Sequence, residues 1–186
     1  MEKVTSYQVG MEAQTQRYVA LKATLFRHEV TDGITPEQLP DGTFTQINKS
    51  KIRREGIEVE ARTEPIYNTT LSLGYTYNNV TDRETGRRIA WSPKFSIDGG
   101  LFYRTLSFRA LLRGHFIKWA ADEYFTGKNG KTVFDLTLEK TVLRKSGMKA
   151  DLFFSVHNIF DTPQYLVSVQ PNAGRWIEGG LKVVFF

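Results

Sequence analysis

Cations and aromatic rings gather in the long polar stretches of this sequence. Arg87, Arg88 and Trp91 fall within residues 79–93, and Trp119, Tyr124 and Lys128 within 118–131. Guanidinium forks grip carboxylates and catecholates through paired hydrogen bonds, and aromatic faces accept cations. Together these residues are suited to capture an anionic, partly aromatic ligand. The other cations, Lys49, Lys51, Arg53, Arg54, Arg83 and Lys131, fit a solvated rim. Nucleic-acid binding would require such residues on one continuous face with aromatics. Here they sit in separate segments, so no nucleic-acid partner is expected.

Catalytic and metal chemistry have no comparable support. The chain has no cysteine, which removes disulfides, thiolate metal sites and thiol nucleophiles. His28, His115 and His157 are too dispersed for a metal motif. Gly130-Lys131-Thr132 imitates the tail of a P-loop, but Phe125 stands where the earlier glycine is required, and a strand pattern follows instead of a helix. Carboxylates follow strand alternation and no acid–base pair stands out. Neither an enzyme nor a cofactor is expected.

The elements that must carry the loop residues are strands. In 186 residues with net charge +5, apolar side chains recur at period two in nine sets. They include Tyr7-Val9-Met11-Ala13, Val19-Leu21-Ala23-Leu25, Leu71-Leu73-Tyr75-Tyr77 and Ile177-Gly179-Leu181-Val183-Phe185. The alternate positions carry Glu12, Lys22, Glu58, Glu60, Asp98, Arg109, Arg113, Asp135 and Glu139, which suit a wet interior. No apolar run approaches the ~18 residues of a membrane helix. Connections alternate between short turns (15–16, 63–68, 104–105, 144–147) and long polar stretches (31–46, 79–93, 118–131, 161–174). Short turns at one rim and long loops at the other are the pattern of a bacterial transmembrane β-barrel, with periplasmic turns and extracellular loops. Tyr7, Tyr18, Tyr75, Tyr77, Phe95, Tyr103, Trp119, Phe134, Tyr165 and Trp176 are expected in its interfacial girdles. The reading is therefore all-β, an antiparallel transmembrane barrel segment of about nine strands. An odd count, with no signal-peptide pattern at Met1–Ser6, leads us to expect a C-terminal piece of a larger barrel.

The C-terminus carries a resemblance. Val156-His157-Asn158-Ile159-Phe160-Asp161, followed by Tyr165, resembles the Asn-Leu-Phe-Asp…Tyr signature of TonB-dependent outer-membrane receptors on their penultimate barrel strand. Pro171-Asn172-Ala173-Gly174-Arg175 resembles the Pro-Gly-Arg that opens the last strand, and Gly180–Phe186 resembles that strand with its terminal Phe. Asn48 with Arg54-Glu55-Gly56-Ile57-Glu58-Val59-Glu60 is similar to the family's Asn…Arg-Gly-Val-Glu-Leu-Glu, and Trp91-Ser92-Pro93-Lys94 sits where Val-Pro-Lys is frequent.

The resemblance covers residues 1–186 and implies the last strands of a barrel of about 22. It implies uptake of a scarce nutrient, a ferric siderophore or else haem or cobalamin, energised by the TonB complex through an N-terminal plug. Neither plug nor TonB box is expected within these residues. Lipid and lipopolysaccharide would surround the wall, and the barrel-assembly machinery would read the terminal Phe. Phe185 keeps the outward register and Phe186 falls one residue out of step. Two rival readings are a stand-alone small outer-membrane barrel and a soluble ligand-binding β-barrel.

Overall fold

The computed structural model describes the chain except residues 16–17, 39–43, 90–91, 121–129 and 168–169, and leaves the side chains at 15, 35–38, 44, 47–49, 165–167 and 170–171 undescribed. The strands in chain order are β1 (Lys3–Thr15), β2 (Val19–Gln38), β3 (Phe44–Thr63), β4 (Thr69–Asp82), β5 (Pro93–Arg104), β6 (Phe108–Trp119), β7 (Lys131–Lys145) and β8 (Met148–His157). A small hairpin, β9 (Tyr165–Val167) and β10 (Gln170–Pro171), precedes β11 (Trp176–Phe185). Strands β1 to β8 pair in sequence order and β11 follows β8, giving one antiparallel sheet of nine strands. The expected strand count holds; the β9–β10 hairpin inside the stretch 161–174 is new.

Register divides the sheet into two chemically distinct faces, because directly paired residues project to the same side. One row runs Val9, Leu25, Ile57, Tyr77 and Phe95. On the other face, Glu12, Lys22, Glu60, Gly74, Asp98 and His115 align. The apolar face is the exposed one: Val9 is 74% accessible, Leu73 56% and Leu181 59%. Among the described residues only Phe26, Ile117, Trp119 and Ala150 form buried apolar core. Such a surface is far larger than a water-soluble monomer leaves uncovered, and hydrocarbon is the solvent it suits.

Aromatic rings bound the aliphatic band. Phe95 stacks on Phe116 at 5.6 Å and lies 6.1 Å from Tyr75, and Tyr103 meets Phe108 at 6.2 Å nearer the short turns. Two expected girdle residues lie elsewhere. Trp119 has the parity of inward Ile117 and packs with it, 6% exposed. Trp176 pairs with His157, off the outward set, and stacks on its ring at 3.9 Å. Parity decided both, since a strand places neighbours on opposite faces.

The expected turns at 63–68, 104–105 and 144–147 connect paired strands, and the one at 15–16 lies partly outside the described residues. Tyr67 and Asn68 take positive φ (48° and 64°) between β3 and β4, and Gly147 (φ 79°) turns β7 into β8. The stretch 31–46 differs: β2 runs on to Gln38 and β3 begins at Phe44, so most of the expected loop is paired strand. Its register slips between Val30 and Ile34, where Asp32 has φ 55°. That irregularity interrupts the two-residue period that marks a strand in sequence.

Candidate functional site

The charged face is concave. A cavity of about 840 Å³ opens along it, walled by Glu58, Glu60, Arg62, Asp98, Arg113 and Asp135. Acidic and basic side chains meet across neighbouring strands. His115 Nδ1 stands 2.6 Å from Asp98 Oδ1, and Arg109 pairs with Glu139. His157 lies between Glu178 (3.2 Å) and Asp135 (3.9 Å). Among the described residues no cluster of His, Asp and Glu is arranged to hold a metal. Such a face suits water and polar groups better than hydrocarbon.

Nearer the loops, the same face presents a second group. Phe26 stacks on His28 at 5.3 Å, and the Arg54 guanidinium lies 5.2 Å from the centre of the Phe26 ring. Arg54 Nε donates to Asn78 Oδ1 at 2.9 Å, and His28 Nδ1 is 2.9 Å from Ser6 Oγ. Gly56 faces Phe26 across the β2–β3 ladder, and a Cβ there would lie 2.7 Å from Phe26 Cζ and 1.9 Å from the Tyr77 carbonyl oxygen. The glycine of the Arg-Glu-Gly-Ile-Glu-Val-Glu segment is thus what lets an aromatic ring lie flat on the wall. Sequence reading did not assemble this guanidinium, imidazole and phenyl group, because its members come from β2 and β3 and its asparagine partner from β4.

The loop residues singled out by type are only partly brought together. Trp91, Tyr124 and Lys128 lie outside the described residues. Arg87 and Arg88 are placed by the turn after β4. Asp82 Oδ1 accepts backbone N–H groups of Thr85 (3.0 Å) and Glu84 (2.7 Å), Arg87 O accepts the Asp82 N–H (2.9 Å), and Gly86 has φ 69°. Those two donations, that of Thr85 first, hold the Asp82 carboxyl below the ordinary aspartate range. Arg87 is exposed. Arg88 bonds the Asn78 carbonyl oxygen (2.6 Å) and lies 6.0 Å over Tyr77, on the outward face. Trp119 shares the parity of Ile117, on the inner face. Arg88 and Trp119 therefore belong to opposite sides of the wall.

The signature residues form a compact turn. Asn158 is 4% exposed with φ 51°. Its Nδ2 donates to the carbonyls of Thr162 (3.0 Å) and Ala173 (3.3 Å), its Oδ1 accepts the Thr162 N–H (2.8 Å), and its own N–H donates to Asp135 Oδ1 (2.7 Å). Asp161 Oδ1 accepts the Arg175 N–H (2.7 Å), and Arg175 Nη1 donates to Ile159 O (3.3 Å). A side chain at Gly174 would crowd Asp161 Oδ1 at 2.8 Å. Phe160 meets Phe134 edge-on at 5.7 Å. Tyr165 begins β9, and its side chain lies outside the described residues. Phe185 pairs with Met148 in the outward set, and Phe186 follows, its N–H donating to Gly147 O (3.1 Å).

The purpose of this turn is visible in the ladder. The β7–β8 pairing begins at Leu136–Val156, yet β7 continues to Lys131. Ile159 N–H donates to Phe134 O (2.8 Å), and Gln164, 2% exposed, donates from Nε2 to the carbonyls of Lys131 and His115 (3.2 Å each). The turn thus covers the Phe134 and Lys131 carbonyls on the stretch of β7 that β8 leaves unpaired, and reaches His115 on β6 as well. Gln164 carried no signal in the sequence beyond being a polar residue after Pro163.

A fold of nine antiparallel strands with this outward band matches a known family. The family model described as TonB dependent receptor-like, beta-barrel, matches residues 1–159. The chain belongs to the TonB-dependent receptor β-barrel family. Solved receptors share its fold. The ferric-catecholate import receptor Fiu from E. coli K12 is 22% identical, with a TM-score of 0.64 over 98% of this chain and 27% of its own. The FrpB iron transporter from Neisseria meningitidis is 18% identical, with a TM-score of 0.73 over 100% of this chain and 31% of its own. The siderophore receptor PirA from Acinetobacter baumannii is 15% identical, with a TM-score of 0.71 over 100% of this chain and 32% of its own. The chain thus spans less than a third of each of these receptors. No curated protein sequence matches it.

Proposed function

We propose that this chain is part of the barrel wall of a bacterial outer-membrane receptor that takes up a scarce nutrient, a transporter and not an enzyme. The observation that carries the reading is the inversion of faces: an exposed apolar band outside and a charged, concave surface inside, in a member of the TonB-dependent receptor family. Residues 1–186 are the C-terminal wall of a larger barrel, whose remaining strands meet β1 and β11. The plug carried elsewhere in that protein couples it to the TonB complex, and the assembly machinery inserts it beside lipid and lipopolysaccharide. The ligand is a ferric siderophore. Arg87, Trp91, Trp119, Tyr124 and Lys128 supply contacts on the loop side, Arg88 stays on the outer face over Tyr77, and Arg54, His28 and Phe26 line the mouth. Guanidinium and aromatic groups suit the anionic oxygens and rings of such chelates, which supports siderophore over cobalamin.

The test is uptake of iron-55 presented as ferric catecholate or ferric citrate by cells lacking the encoding gene. Loss of uptake of one of them, and its abolition in parental cells by collapse of the proton-motive force, is the expected result. Undiminished uptake of both, with an immunoblot that fails to find the protein in outer membranes, would refute the reading.

A further inference from the structure

The outward face carries a cationic cluster immediately beyond the apolar band on the loop side. Arg27 is the next outward residue after Leu25 on β2, roughly 7 Å further along the strand, and it pairs in register with Tyr7 and Glu55. One row on, Glu29 pairs with Arg53, which itself pairs with Thr81. Arg83, just after β4, completes the group.

Glu29 organises it. Its Oε1 accepts Arg27 Nε (2.9 Å) and Nη2 (2.5 Å) and lies 3.3 Å from Arg53 Nε, while its Oε2 accepts Arg83 Nη1 (3.0 Å). Each guanidinium has five N–H donors and a carboxylate about four lone-pair sites, so one carboxylate cannot occupy three guanidinium groups. Glu55, beside Arg27, accepts from Asn79 (3.3 Å), and Glu84 pairs with Lys51 (3.4 Å), leaving the row with more cations than anions. The side chains of Arg27 and Arg83 are 45% and 39% accessible, and that of Arg53 28%.

A free anion in water would meet this cluster as well as any other. What singles out its occupant is the surface below: Leu25, Ile57 and Tyr77 form one continuous outward row beneath the guanidinium groups. A molecule with a phosphate head and acyl chains would satisfy both at once. We propose that Arg27, Arg53 and Arg83 bind the headgroup phosphate of a phosphorylated glycolipid of the outer leaflet, its acyl chains lying along Leu25, Ile57 and Tyr77. This inference rests on the outer-membrane reading and names one lipid site within it.

The test uses the intact protein, extracted from outer membranes in mild detergent and examined by native mass spectrometry. Probes are bisphosphorylated lipid A, its dephosphorylated form, and inorganic phosphate as competitor. Wild type should retain bisphosphorylated lipid A, and Arg27→Gln/Arg53→Gln/Arg83→Gln should lose it by about tenfold or more, the size of one charge-assisted hydrogen bond. Folding is read independently from the heat-modifiable band on electrophoresis. If the triple variant fails to fold, Arg83→Gln, whose side chain leaves the ladder intact, should weaken retention by about threefold or more. Undiminished retention in the folded variant overturns the inference alone. So does equal retention of the dephosphorylated lipid, or displacement by inorganic phosphate at matching concentration. Absence of the protein from outer membranes overturns the functional reading, and this inference with it.

Discussion

Replacing Asn158 by Ala should open the segment between β8 and β11. The side chain takes part in three hydrogen bonds at 2.8–3.3 Å and is 4% exposed, so its removal leaves the N–H of Thr162 and the carbonyls of Thr162 and Ala173 without this partner. At about 1 kcal/mol per bond the network contributes about 3 kcal/mol. The positive φ of 51° adds about 1 kcal/mol, because alanine tolerates the left-handed region less well than asparagine. A loss of about 4 kcal/mol corresponds to a rise of roughly a thousandfold in the opening equilibrium. The assay is hydrogen–deuterium exchange of the intact protein in detergent, read on the amides of Ile159 and Thr162, which bond to Phe134 O and Asn158 Oδ1. Asn158→Gly, which keeps the backbone conformation and loses only the bonds, should lie about 1 kcal/mol closer to wild type. Exchange within tenfold of wild type in Asn158→Ala would refute the account. A glycine variant more open than the alanine variant would refute its backbone part.

Two glycines should answer differently to the same methyl group. Gly56→Ala, with Phe26 Cζ at 2.7 Å and the Tyr77 carbonyl oxygen at 1.9 Å, should cost about 1–3 kcal/mol, while Gly99→Ala, with nothing within 4 Å, should be near neutral; urea unfolding in lipid vesicles measures both. Leu73→Arg, in the middle of the outward band, should cost about 2–4 kcal/mol in the same assay, and a loss below 1 kcal/mol would argue against a lipid-facing surface. The Asp82 turn should loosen in acid. Its carboxyl titrates lower folded than unfolded, so the stabilisation is complete above the ordinary aspartate range and disappears as pH falls through the lowered folded value. Exchange of the Glu84 and Thr85 amides should therefore accelerate on acidification relative to Asp82→Asn, and parallel profiles would contradict the assignment.

The faces of the strands were legible because parity is local. Val9, Leu73 and Leu181 declare their side through neighbours two residues away, and that side is where they lie. Parity fails where a ladder slips, which is why Thr31–Gln46 reads as loop and folds largely as strand. The signature at Asn158, Phe160 and Asp161 was legible as resemblance, but its work was not. Its partners are Asp135, Phe134 and Arg175, and only pairing brings them near. Cation clusters were the least legible. Arg53 and Arg54 are adjacent in sequence, yet one joins Glu29 outside and the other Phe26 inside, so a basic run divides between two surfaces. The same alternation sends Arg88 and Trp119 to different sides.

The sheet order, in which nearly every strand pairs with its successor, has a consequence for how the wall assembles. These pairings join neighbours in sequence, and the entropy of closing a loop grows only slowly with its length, so the hairpins can form in turn, one at a time. Gln164 is the exception: its donors reach the His115 and Lys131 carbonyls across 49 and 33 residues. Those bonds have no counterpart until β6, β7 and β8 are already side by side. Gln164 therefore closes late on the assembly route, and the turn that Asn158 holds acts as a latch over three strands already in register.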